Sequence, residues 1–280
     1  MTPFLAILAV FTYAGICWAM FVGAQAGYAA LKDADVAPER RPLWLFGVGA
    51  AGLQCAGLAL SGSVNFYASL SWVSALMAML ASATLLRTGE RFLPLLSFVI
   101  AVLAILLHLL VAGASKQLEG WQIQLHASVA LLAYAALSLA GAQALLLLVV
   151  ERRLRNPQRS GAQPGAWQRF WLKFGGWLPP LSRLERQLFQ LISVGFLLLT
   201  LTLLSGGLFI SNWFAQHLVH KTVLTIAAWL VFGTLLLGHW RFGWRGRHAA
   251  IATLVGMLLL ALAFFGSKFA LEVVLKRGLG

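Results

Sequence analysis

The chain has 280 residues, of which 60% are hydrophobic and only 10% are charged. A soluble domain carries about 25% charged residues, so this composition excludes an ordinary soluble protein and predicts a polytopic membrane protein embedded in a lipid bilayer. The net charge of +13 does not indicate nucleic-acid binding, because the cations lie in alternate loops and not on one basic surface.

Several apolar segments are long enough to cross a bilayer, since a spanning helix needs about 20 residues. In chain order they cover about residues 4–31, 43–60, 66–86, 92–112, 122–150, 187–210, 218–239 and 248–270. Residues 43–86 carry no charge and are too long for one span, and the turn-forming sequence SGSVN at 61–65 divides them. The sequence therefore predicts an all-α bundle of about eight transmembrane helices.

The distribution of basic residues predicts the orientation of this bundle. Most of the 21 Lys and Arg residues lie in four loops, at 32–42, 87–91, 151–186 and 241–247. The alternate loops lie at 61–68, 113–121 and 211–217. Together they contain one basic residue, Lys116. Because basic loops stay on the cytoplasmic side, both termini are predicted to lie outside.

We expect a single transmembrane domain covering residues 1–280. The segment 151–186 is the one long cytoplasmic loop, and it begins with the polar sequence ERRLRNPQRSGAQPG. Its second part, AWQRFWLKFGGWLPP, places aromatic residues at three- and four-residue spacing beside Arg169 and Lys173. This pattern predicts an amphipathic helix lying at the membrane interface.

Ionisable groups at membrane depth are costly, so the histidines are informative. Four of the six are predicted to lie at the outer ends of helices, namely His108, His126, His217 and His220. His126 and His220 each lie about one turn from the outer start of the fifth and seventh helices, so their imidazoles share one depth. The helix faces below them carry mainly small residues, with Tyr134 two turns from His126. These two histidines are candidate ligands of a group bound between the two helices.

The candidate group is haem b. Zinc would require three or four His, Cys or carboxylate ligands, whereas Glu119 and Glu272 lie only at the ends of spans. Two histidines with apolar and aromatic walls are what a b-type haem needs. Helix N-termini favour anionic propionates, and Lys221 adds positive charge. We therefore predict His126 and His220 as iron ligands, and Lys221 and Tyr134 as further cofactor-binding residues.

No catalytic set of residues is evident, and we expect a binding protein and not an enzyme. No Asp lies beyond Asp35, so a Ser-His-Asp triad is excluded. The two cysteines, Cys17 and Cys55, lie in separate apolar segments and form no C-x-x-C pair. The chain is therefore neither a thiol oxidoreductase nor a carrier of covalently attached c-type haem.

Three stretches carry a resemblance to a known family: LHASVALLAYAALSLAGAQALLLLVVERRLR (125–155), LERQLFQLISVGFLLLTLTLLSG (184–206) and HKTVLTIAAWLVFGTLLLGHWRFGWRGRHAA (220–250). They resemble the cytochrome c assembly protein family, the CcsA/CcmC-type haem-handling membrane proteins, and within it the YpjD/HemX-like branch. The resemblance covers about residues 120–270. It implies a multi-pass protein of the bacterial inner membrane, with His126 in the place of a family histidine beside an outer haem site and with cytochrome c maturation components as partners.

One segment departs from the family pattern. The assembly proteins carry a tryptophan-rich W-G-x-x-W-x-W-D sequence before the helix that here begins near His220. In this chain the same place reads LFISNWFAQHLVHK (208–221), with Trp213 alone. The resemblance therefore implies the fold and haem association, without the joining of haem to apocytochrome.

Three functions stay open from the sequence. The first is a haem-binding or haem-relaying protein in cytochrome c assembly or haem homeostasis. The second is a regulatory membrane protein that controls a haem-biosynthetic enzyme through its basic cytoplasmic loops. The third is a transporter, for which Gln25, Gln54 and Gln143 are the polar residues offered at mid-bilayer depth.

Overall fold

The computed structural model describes residues 3–30, 41–61, 66–88, 91–110, 120–155, 180–209 and 219–269. Within these ranges the chain forms helices and no strand, in the order α1 (Pro3–Ala30), α2 (Arg41–Ser61), α3 (Phe66–Thr88), α4 (Phe92–Leu110), α5 (Trp121–Arg155), α6 (Leu181–Phe209), α7 (Val219–Phe242) and α8 (Gly246–Phe269). Each of the eight is long and apolar enough to cross a membrane. The predicted all-α membrane bundle is confirmed.

The observed helix bounds can be compared with those predicted from hydropathy. α2 ends at Ser61 and α3 begins at Phe66, so the predicted division at 61–65 is confirmed. α6 begins six residues before the predicted 187, because its first turns are polar and only its apolar part was counted as a span. The interfacial helix predicted within 151–186 falls mainly on residues 156–179, which lie outside the described part. The membrane orientation and the single-domain boundaries stay predictions.

Contacts within the chain form two compact units, which are described separately. Unit 1 comprises Met1–Ser115 and Val149–Leu181, and it contains α1 to α4. Unit 2 comprises Lys116–Leu148 and Ser182–Gly280, and it contains most of α5 together with α6, α7 and α8.

Small residues allow the helices of unit 1 to approach each other closely. On α1 the buried side chains recur every three or four residues, as one helix face requires. They pack with buried residues of the other three helices, and the whole set is Ala6, Ala9, Tyr13, Ile16, Met20, Ala50, Ala51, Ala78, Leu85, Phe98, Ala101 and Ile105. Because lipid supplies no hydrophobic drive between helices, close packing of such residues stabilises the unit.

A fully buried amide joins three of these helices. The Tyr13 hydroxyl donates a hydrogen bond to Gln54 Oε1 at 3.0 Å. Gln54 Nε2 in turn donates to the Ser71 carbonyl at 3.0 Å, with the Ser74 hydroxyl at 3.2 Å. The amide is thus bonded on both its oxygen and its nitrogen within the bundle. Gln54 therefore acts as a link between α1, α2 and α3.

Replacing Gln54 with methionine is expected to lower the stability of the folded protein. The substitution keeps the volume but leaves the Tyr13 and Ser74 hydroxyls buried without this partner, at a cost of about 1–3 kcal/mol. Heating the detergent-purified protein and following the soluble monodisperse fraction should show a lower midpoint. Thr12→Val is the control, because the Thr12 hydroxyl bonds only to Leu8 O of its own helix. Equal midpoints for the two variants would rule out a structural role for the network.

In unit 2, α5 contacts each of the other three helices. Leu137 of α5 lies against Gly195 of α6. Further along the same pair, Gln143 Nε2 donates to Gln187 Oε1 at 2.9 Å, so α5 and α6 run antiparallel. Against α8, the Ser138 hydroxyl lies 3.8 Å from the sulfur of Met257. α5 is therefore the central helix of this unit, and its neighbours fix the surroundings of the side chains near its start.

A short turn connects α7 to α8, where a basic loop was predicted at 241–247. Residues 243–245 form it, and Gly243 and Gly246 adopt φ values of 67° and 65°, which disfavour other residues. His239 stacks on Phe189 at 3.5 Å between ring centroids and bonds through Nδ1 to Trp244 O at 2.9 Å. These contacts lie at the C-terminal end of α7, where the turn begins.

Candidate functional site

The imidazole of His126 is held by α6. His126 lies in the second turn of α5 and is half-buried. Its Nδ1 atom lies 2.9 Å from Ser205 Oγ, near the C-terminal end of α6. The second ring nitrogen, Nε2, has no hydrogen-bond partner among the described residues. One nitrogen is therefore anchored, and the other is available to a ligand.

Gly206 gives the imidazole the room that it needs. A Cβ atom at this buried glycine would lie 3.3 Å from Cε1 of His126 and 3.9 Å from its Nδ1. The ring therefore lies close against the backbone of α6, where a side chain on residue 206 would crowd it. Ser205 also donates a hydrogen bond to the Thr202 carbonyl at 3.1 Å, which orients its hydroxyl.

Lys221 brings a positive charge to the same end of unit 2. It lies in the first turn of α7, is half-buried, and is within electrostatic range of His126. Two of the predicted site residues are thus brought together by α5 and α7. His220 is the second residue of α7, but its side chain lies outside the described part of the structure. Its role as a second ligand stays a prediction.

Tyr134 lies two turns further along α5 and packs towards α7 and α8. Its ring centroid is 5.0 Å from that of Phe264, and its hydroxyl approaches the Thr225 side chain. The Thr225 hydroxyl donates to Lys221 O at 2.7 Å. Tyr134 therefore lies beside the turn of α7 that follows Lys221, and its role as a cofactor-binding residue stays a prediction.

The other two histidines predicted near outer helix ends are His108 and His217. His108 lies in the last turn of α4 and belongs to unit 1, and its buried Nδ1 atom has no hydrogen-bond partner among the described residues. His217 lies outside the described residues. The described site therefore rests on His126, Lys221 and Tyr134.

Sequence reasoning missed Ser205, Gly206 and Thr202. The signal that could have found them is a Ser-Gly-Gly sequence at the end of the leucine-rich run LLLTLTLL. Because α5 and α6 run antiparallel, this end of α6 is level with the start of α5. Small and hydroxyl residues there are the groups that can approach and orient an imidazole.

Membrane-spanning helices with a histidine anchored between two of them define a multi-pass membrane protein with a candidate ligand-binding site. Residues 57–275 match the model of the family described as Cytochrome C assembly protein. This match covers most of the chain, and the chain belongs to this family. The predicted family resemblance is confirmed.

The relatives that the chain resembles include bacterial proteins, one of them an inner membrane protein. It is 35% identical over 149 residues to the inner membrane protein YpjD of Escherichia coli (strain K12), covering 53% of this chain and 52% of the relative. It is 32% identical over 222 residues to a 28.8 kDa protein of Azospirillum brasilense, covering 73% and 74%. It is 28% identical over 159 residues to the cytochrome c biogenesis protein CcsA of Synechococcus sp. (strain CC9902), covering 53% and 52%.

The chain thus spans about half the length of the YpjD and CcsA relatives that it matches. No solved structure shows significant similarity to it. The apolar helices together with the similarity to an inner membrane protein identify a multi-pass inner-membrane protein, as predicted.

Proposed function

We propose that this protein binds haem at the His126 end of unit 2 and holds or relays it during the assembly of c-type cytochromes. The observation that carries the proposal is the half-buried His126, with Nδ1 anchored to Ser205 and Nε2 free of protein partners among the described residues. A neutral imidazole fixed through one nitrogen is the usual form of a metal-ligating histidine. Family membership and the naming of CcsA as a cytochrome c biogenesis protein supply the biological context.

The residues at this end of the unit fit a haem group. Nε2 of His126 would hold the iron, together with the imidazole of His220. The Lys221 ammonium group would attract a propionate. Gly206 leaves room for the His126 ring itself against the backbone of α6. Bound haem supplies an iron porphyrin that a c-type cytochrome requires, and in this proposal it is cargo.

We propose binding and relay, and not covalent chemistry, for this site. Ser205 and His126 form a hydroxyl–imidazole pair, which in a hydrolase would activate a nucleophile. Here the Ser205 hydroxyl also bonds to the Thr202 carbonyl, an acceptor that competes with the imidazole for its hydrogen. In this proposal His126 is oriented by Ser205 and does not act as its base.

An absorption spectrum tests the proposal directly. The protein should be expressed in haem-replete cells and purified in mild detergent, where we expect a Soret band. His126→Ala should abolish the band, and His220→Ala should abolish or shift it. His248→Ala is the control, because His248 is exposed in the first turn of α8, at the other end of unit 2.

Absence of a Soret band in the wild-type protein would reject haem binding. If exchanging the exposed Arg241 and Arg245 for glutamine then changed the cellular level of a haem-biosynthetic enzyme, the regulatory function would replace it.

A further inference from the structure

We propose that Ser205 is a positioning residue that sets the tautomer and the orientation of His126, so that Nε2 is the ligand nitrogen. The ligand role rests on the proposed haem binding, whereas the tautomer can be measured without haem. The contacts with His126 and Thr202 single out this serine among the hydroxyl residues of α6.

The hydrogen-bond geometry assigns the proton. A serine hydroxyl has one hydrogen to donate, and a carbonyl oxygen can only accept. Ser205 Oγ lies 3.1 Å from the Thr202 carbonyl and 2.9 Å from Nδ1 of His126. Both contacts are hydrogen bonds at once when the hydrogen points to Thr202 and the same oxygen accepts from Nδ1–H. A neutral imidazole carries one N–H, so Nε2 retains its lone pair.

The other tautomer is less favourable in this arrangement. If Nε2 carried the proton, Ser205 would have to turn its hydrogen to Nδ1 and lose its bond to the Thr202 carbonyl. A net intramolecular hydrogen bond of ordinary strength shifts such an equilibrium by roughly tenfold. The Nδ1–H form should therefore be the main species of His126.

The same contacts fix the direction of the ring. Ser205 holds Nδ1, and the adjacent Gly206 lies against Cε1. Two consecutive residues of α6 thus restrain two neighbouring ring atoms, Nδ1 and Cε1. Loss of a group that orients a ligating histidine typically lowers metal affinity about 10–100-fold.

Nitrogen NMR of the haem-free protein tests the tautomer. Detergent-purified protein with ¹⁵N-labelled histidine should be observed at about pH 8, where an ordinary histidine is neutral. The His126 signals are identified by their loss in His126→Gln. We expect the Nδ1–H pattern in the wild type and in Ser205→Thr, and a shift towards a mixture in Ser205→Ala. An Nε2–H pattern in the wild type would overturn the proposal, whether or not the variants fold.

A matched control separates this role from general packing. The Ser193 hydroxyl, more than three turns earlier on α6, donates to Phe189 O of its own helix at 2.8 Å. Ser193→Ala should leave the His126 tautomer unchanged. If it changed the tautomer as much as Ser205→Ala did, the effect would belong to the helix and the proposal would fail.

Haem titration tests the consequence for binding. Ser205→Ala should weaken haem binding about 10–100-fold, Ser205→Thr should restore it, and Ser193→Ala should match the wild type. Unchanged affinity in Ser205→Ala would overturn the positioning role. Failure of the wild type to bind haem would overturn the proposed function instead, and the tautomer measured without haem would distinguish the two failures.

Discussion

Replacing Gly206 with valine is expected to remove most of the haem Soret band while the helical content stays unchanged. The first added carbon would already lie 3.3 Å from Cε1 of His126, and the two methyl groups beyond it need further space. Since the ring is also tied to Ser205, it cannot turn aside without losing that bond. We expect a loss in haem affinity of tenfold or more, measured by haem titration, with circular dichroism to report the helices.

Gly207→Val is the matched control for this substitution. Gly207 is the next residue of α6, but it is exposed, so the same change meets lipid or detergent there. Both variants introduce the same β-branched residue into the same helix turn and carry the same propensity cost. Equal loss of haem from both would show that the helix end matters and the contact with His126 does not. If Gly206→Val retained haem, the contact between residue 206 and His126 would have no role in haem binding.

The helices could be predicted because the membrane leaves few alternatives. A chain that crosses lipid must satisfy every backbone group internally, so each long apolar segment is a helix. The SGSVN sequence then divides α2 from α3 at the expected place. The polar end of α7 was not predicted, because hydropathy marks only the part of a helix in lipid.

The candidate site could be predicted only in part. His126 stood out because an imidazole in an otherwise apolar span is costly and rare. Ser205 did not, because its meaning depends on which residues of α6 face α5. That register is set by contacts remote from the site, chiefly those of Gly195 with Leu137 and of Gln187 with Gln143. No single-sequence pattern reveals such a pairing.

The register also explains why packing in the middle of unit 2 controls the site at its end. Helices in a membrane are held by close contact between backbones, which small residues permit. Gly195 provides the close approach of α6 to α5, and Ser205 lies ten residues further along α6, about 15 Å away. A wedge at residue 195 would therefore move Ser205 relative to His126.

Gly195→Leu is accordingly expected to destabilise the protein and to weaken haem binding together. Its Cβ atom alone would lie 2.5 Å from Cδ2 and 2.6 Å from Cγ of Leu137, a fully buried side chain. Overpacking of this kind costs about 1–3 kcal/mol, and the larger leucine places the effect at the upper end. The midpoint of thermal unfolding in detergent should fall by several degrees.

Two further variants identify the clash as the cause. Gly15→Leu should leave the unfolding midpoint unchanged or slightly raised, because no atom lies within 4 Å of its added Cβ and leucine is the better helix former. Leu137→Ala combined with Gly195→Leu should recover part of both losses, because it removes the atoms that the new side chain meets. Strictly additive losses in the double variant would contradict this close contact, since residues that share a cavity are coupled. If the double variant recovered the unfolding midpoint but not haem binding, removing the clash would restore stability without restoring the alignment of α6 against α5.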